Sequence, residues 1–180
     1  MSLSQSQGVF WLVAIVLVVA AIIDGRSLKV PNWLTFPFAG LGVLYSLWPG
    51  GLSPAYSLAG LALGLALLLP LYAVGGMGAG DVKLLAGVGA WVGPAITLWS
   101  FVATVLVGAA MAIFMMARSG KFFSHVFQIR EIAAEWWSVK NPVALAQTAA
   151  VRKPRMLLLP YGIPMAIGTI TYFLEAGLLF

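Results

Sequence analysis

The sequence predicts an all-α membrane protein: a bundle of about six transmembrane helices, with one amphipathic helix in a cytoplasmic loop, forming a single domain over 1–180. Three observations predict it. Hydrophobic residues make up 62% of the 180 and charged residues 8%, with a mean hydropathy of +1.01. A soluble domain of this size cannot hide so much apolar surface, so the surplus must face lipid. The apolar residues fall in runs suited to a bilayer, which takes roughly 20 residues per helix. Finally, the basic residues all lie in alternate loops.

The first run, Val9 to Ile23, ends at Asp24-Gly25-Arg26. No basic residue precedes it, so it lacks the positive region of a signal peptide and reads as a retained helix. Trp33 to Trp48 forms a second span and Ala55 to Val74 a third, with a proline- and glycine-rich turn at 49–54 between them. After the glycine-rich 75–80, Val82 to Val92 gives a fourth, and Gly93-Pro94 breaks it before a fifth, Ala95 to Ala117. The polar loop 118–156 follows. In it Phe123, Phe127, Ile132 and Trp136 recur at helical spacing with Arg130, Glu131 and Glu135 interleaved, predicting an amphipathic helix at the membrane interface. Leu157 to Phe180 supplies the last span.

Six spans put the loops 24–32, 75–83 and 118–156 on one face, and these hold all ten Lys and Arg. Basic residues stay cytoplasmic, so the chain is expected to be multi-pass in the cytoplasmic (inner) membrane with both termini outside. Merging the fourth and fifth segments would break this pattern. The net charge of +5 is then a loop signature, and no nucleic-acid partner is expected. The absence of cysteine excludes disulfides, zinc–thiolate sites and thiol nucleophiles.

Five acidic residues remain: Asp24, Asp81, Glu131, Glu135 and Glu175. The two aspartates each end an apolar segment on the same membrane face. A carboxylate there is costly and marks a functional site. Two carboxylates held close together hardly ionise at once, so the pair keeps one proton. One group can then polarise a peptide carbonyl while the other takes a proton from water. Helix capping, or pairing with Arg26, Lys29 and Lys83, accounts for the same residues structurally. A small transporter or channel using Asp24 and Asp81 as proton or cation sites is the alternative function, although it would favour acids nearer mid-membrane.

Asp81 follows the run Gly75-Gly76-Met77-Gly78-Ala79-Gly80. Glycines there let an extended backbone approach the carboxylate closely. A phosphate cradle is disfavoured, because no Gly-Lys-Ser/Thr follows and the aspartate repels an anion.

Gly78-Ala79-Gly80-Asp81, extended by Val82-Lys83-Leu84, resembles the GxGD signature of intramembrane aspartic proteases in its prepilin peptidase form. Asp24 followed by Val30-Pro31-Asn32 is similar to the other half of that pattern, and Leu159-Pro160-Tyr161-Gly162-Ile163-Pro164 resembles the family's final span. Gly25 departs from the bulkier residue expected after the first aspartate. Ile23 precedes Asp24, whereas signal-peptide-peptidase and presenilin relatives carry a Tyr-Asp pair.

The resemblance implies that Asp24 and Asp81 are catalytic and that Gly78, Gly80, Lys83, Pro31 and Asn32 shape the site or contact substrate. It implies no metal and no cofactor. The expected activity is removal of the short basic leader from prepilins or pseudopilins at the cytoplasmic membrane face, after a glycine. The substrate would be held by its own apolar helix in the same bilayer. Without paired cysteine motifs before the first span, the chain looks like the short, peptidase-only kind serving Flp or Tad-type pili, without methyltransferase activity.

Overall fold

The computed structural model describes residues 3–73, 77–119 and 160–180, and every regular element among them is a helix. In chain order these are α1 (Leu3–Ser27), α2 (Asn32–Tyr45), α3 (Pro54–Ala73), α4 (Ala79–Ser119) and α5 (Gly162–Glu175). Three stretches are long and apolar enough to cross a membrane: Gln7–Ser27, Pro54–Ala73 and Ala79–Arg118. α2 and α5 have 14 residues each, less than a perpendicular crossing requires. The expected amphipathic helix of loop 118–156 lies outside the described residues.

The predicted break at Gly93-Pro94 falls inside α4, where Gly93 is non-helical with φ 79° and ψ 172°. Glycine is needed there: positive φ disfavours a side chain, and a Cβ would run into the Tyr56 ring. The break folds the helix back on itself. A straight helix rises about 1.5 Å per residue, which would carry Gly108 about 40 Å from Asp81. Yet Tyr161 packs beside Gly108 and lies within electrostatic reach of Asp81. The first arm, 79–92, therefore leaves the Asp81 end and the second, 94–119, returns to it. The Thr97 hydroxyl donates back to the Gly93 carbonyl at 2.7 Å, and Pro94 has no N–H to offer the Ala90 carbonyl one turn before it.

Small residues set the packing. α3 lies antiparallel to the first arm, with Gly60 against Gly89 and Gly64 against Leu85 and Ala86. Van der Waals contact and interhelical hydrogen bonds must hold such pairs in lipid, where helix association gains no hydrophobic drive. Ser57 supplies one bond, donating to the Ala90 carbonyl at 2.7 Å across the interface. α2 runs parallel to the first arm, Phe38 at Gly87 and Gly42 at Ala90 and Trp91. The Trp91 indole N–H donates to the Phe38 carbonyl at 2.8 Å, and its ring stacks on Phe38 and Tyr45. α5 lies antiparallel to the second arm, Gly168 at Thr104. It is also antiparallel to α1: Phe10 meets Phe173 edge-on, centroids 5.1 Å apart.

This arrangement brings the end of α1, the start of α4 and the start of α5 to one end of the bundle. Leu17, Leu84, Leu85 and Phe173 are fully buried in the core above them.

Candidate active site

Asp24 was expected in a loop; it lies instead in the last turn of α1. Arg26 and Ser27 remain helical because the Ser27 hydroxyl donates to the Ile23 carbonyl at 2.8 Å and the Leu28 N–H closes onto the Asp24 carbonyl at 2.7 Å. Leu28 then takes φ 53°, the left-handed turn that commonly ends a helix and is unusual for a leucine. The chain leaves it through buried Val30 and extended Pro31 into α2.

The Asp24 side chain is only 3% exposed. Its Oδ2 accepts a 2.8 Å hydrogen bond from the backbone N–H of Gly162, the first residue of α5. First-turn amides lack partners within their own helix, so a carboxylate from α1 caps α5. Gly162 has to be small, since a Cβ would stand 3.0 Å from the Asp24 Cβ and 3.1 Å from Oδ2.

Asp81 occupies the third position of α4 and is 6% exposed. Its Oδ2 accepts from the Gly78 N–H at 3.1 Å, the reach-back of a capping-box acid. Both aspartates therefore satisfy helix starts: Asp81 at its own helix, as the capping reading of the sequence expected, and Asp24 at α5 rather than at the end of its own helix. Capping alone needs no burial, however, and surface caps serve equally well.

The two carboxylates line one cavity of about 930 Å³, walled by 23–33 on one side and 77–81 on the other. Gly78, Gly80, Pro31 and Asn32 line it too. Gly80 lets the Val30 carbonyl lie close against α4, where a Cβ would collide with it. Lys83 does not line the cavity. Its Nζ donates to Asn32 Oδ1 at 2.9 Å and sits 4.6 Å from the centre of the Phe36 ring, tying the start of α2 to the first arm. Among the described residues no three His, Cys, Asp or Glu side chains cluster as a metal site would require.

The sequence profile of the type IV leader peptidase family matches residues 11–113, more than half of the chain and a stretch that includes both aspartates. The chain belongs to the type IV leader peptidase family. It is 35% identical over 117 residues to the prepilin leader peptidase/N-methyltransferase of Neisseria gonorrhoeae, covering 60% of this chain and 40% of that protein. It is 38% identical over 109 residues to the protein of the same name from Aeromonas hydrophila, covering 54% and 36% respectively. The alignments thus span well under half the length of either relative. No solved structure matches.

The matched stretch stops before α5, yet in this leader peptidase family member the start of that helix is bonded to Asp24. Tyr161 and Gly162 were not among the expected site residues. Tyr161, half-buried, lies within electrostatic reach of Asp81, and its neighbour Gly162 is bonded to Asp24. Of these two consecutive residues, only Gly162 makes a hydrogen bond to an aspartate. Their signal in the sequence was the stretch 159–164, read there as the opening of a span.

Proposed function

We propose that the chain is a membrane aspartic endopeptidase that removes the short basic leader from prepilins or pseudopilins at the cytoplasmic face of the inner membrane. The observation that carries this is the meeting of two buried aspartates, 57 positions apart in sequence, on the wall of one cavity. Membership of the leader peptidase family and the names of both relatives support it.

In the reaction, one carboxyl keeps its proton and hydrogen-bonds the scissile carbonyl. The other, ionised, takes a proton from water as the water oxygen bonds to the carbonyl carbon. The carbon–nitrogen bond then breaks and the leaving amine takes up a proton from the pair. The backbone N–H of Gly162 and that of Gly78 each fix one carboxylate oxygen, so the geometry is set before substrate arrives. The substrate's own apolar helix confines it to the same bilayer. In this reading the two arms of α4 count with α1, α2, α3 and α5 as six membrane segments, α2 and α5 being shorter than a full crossing, with both termini outside and the basic loops inside.

Co-expression with a candidate prepilin tests this, reading leader removal by gel mobility and N-terminal sequencing. The unmodified chain should release the mature N-terminus. Asp24→Asn and Asp81→Asn should each abolish release while remaining in the membrane fraction. Substantial processing by either variant refutes the assignment. A transporter would instead leave the precursor intact in every case.

A further inference from the structure

A second concavity, about 610 Å³, lies between α1 and α2. On α2 its wall is the stripe Trp33, Pro37, Leu41 and Leu44, continued by Trp48 just past the helix. These positions recur every three or four residues, so one face of α2 lines the groove along its whole length. Leu12 and Val16 of α1 form the opposite wall, and Trp91 of the first arm contributes to the lining.

Two continuities join this groove to the aspartate cavity. Trp33 lines both. On α1, positions 12, 16, 23 and 27 share one helical face; the first two line the groove and the last two line the cavity. The groove therefore runs along the membrane-embedded helices and ends where Asp24 and Asp81 stand. Its wall is largely apolar over this length, with Tyr45 towards the far end, and charged groups appear only past Trp33, at Lys29 and the aspartates.

We propose that the groove between α1 and α2 receives the apolar helix of the precursor. Seated along α2, that helix delivers its leader junction past Trp33 to the aspartates. This rests on the leader peptidase reading and adds the place and direction of substrate entry. The occupant is a helix with a charged end because the groove is largely apolar along its length and meets charged groups only at the aspartate end. An acyl chain would fill the groove without using that end.

The chain has no cysteine, so single thiols can be introduced cleanly. The probe is a synthetic precursor with a basic leader, a glycine and an apolar helix of about 20 residues bearing one cysteine at its midpoint. Leu41→Cys places a thiol in the groove. Leu98→Cys, on the second arm, is also exposed and lies five residues past Gly93, while Gly42, next to Leu41, packs on Ala90 and Trp91 just before it. In an Asp81→Asn background, which holds the substrate uncleaved, disulfide yield should be at least about tenfold higher at Leu41 than at Leu98, because docking raises the local thiol concentration.

In the active chain, Leu12→Trp should raise KM by about tenfold with kcat retained, the signature of lost uniform binding, and Leu98→Trp should change neither. Cleavage accompanied by equal disulfide yields at the two positions overturns the groove and leaves the peptidase reading intact. Failure of the unmodified chain to cleave the precursor overturns both.

Discussion

The backbone N–H of Gly162 donates a 2.8 Å hydrogen bond to Oδ2 of Asp24, joining residues 138 positions apart. The bond satisfies an amide that α5 cannot satisfy itself, and it orients a carboxylate that α1 alone would leave free to rotate. Fold and candidate chemistry thus meet in one contact.

Gly162→Ala tests that contact. The added methyl would stand 3.0 Å from the Asp24 Cβ, so the carboxylate or the start of α5 must shift. A displacement of this size should lower kcat for leader cleavage by roughly 10- to 100-fold. Membrane insertion should be unaffected. The measurement is cleavage rate against protein recovered in the membrane fraction, and an unchanged kcat contradicts the role given to Gly162.

Gly80 and Gly40 should respond in opposite ways. At Gly80 a Cβ meets the Val30 carbonyl and lies 2.9 Å from the Val30 Cβ. Gly80→Ala should cost about 1–3 kcal/mol through overpacking and open the cavity wall between 30 and 80. Gly40 sits on α2 with nothing within 4 Å of the same position. There alanine should be neutral or stabilise by up to about 1 kcal/mol from helix propensity. Thermal unfolding in detergent, followed by size-exclusion, separates the two.

Much of this arrangement was legible in the sequence, for identifiable reasons. The Gly93-Pro94 break could be read because positive φ and a missing amide donor both interrupt a helix. Counting spans gave Asp24 and Asp81 a common membrane face, whereas the cavity they share depends on how α1 and α4 pack. The helical state of Asp24 was not legible: Gly25 and Arg26 look like loop punctuation, and the last turn is closed by Ser27 and Leu28. The Gly162 contact was invisible because it depends on where α5 lands against α1, which no local pattern encodes. Lys83 was expected at the site from its motif but lies outside the cavity lining, and its partner, Asn32, is a matter of how α2 lies along α4.

Lys83 and Asn32 should behave as a coupled pair. Their 2.9 Å hydrogen bond is exposed, so Lys83→Met and Asn32→Ala should each destabilise modestly, with a coupling energy of at most about 1 kcal/mol. Lys83→Met keeps an unbranched stem over Phe36, which limits the packing loss. A double-mutant cycle on unfolding midpoints measures the coupling. Strict additivity contradicts a direct tie between α2 and α4.

Convergence of Asp24 and Asp81 at one cavity underlies the proposed chemistry, and it can be measured without substrate. In a chain free of other thiols, the double variant Asp24→Cys/Asp81→Cys can be treated in native membranes with a short bifunctional thiol reagent. Intramolecular cross-linking, read by mass spectrometry, should join the peptides carrying positions 24 and 81 in high yield. A control pair, Asp24→Cys with a cysteine at Leu98, should give none. Singly modified thiols at both 24 and 81 with no bridge between them would contradict the shared site, and with it the peptidase mechanism.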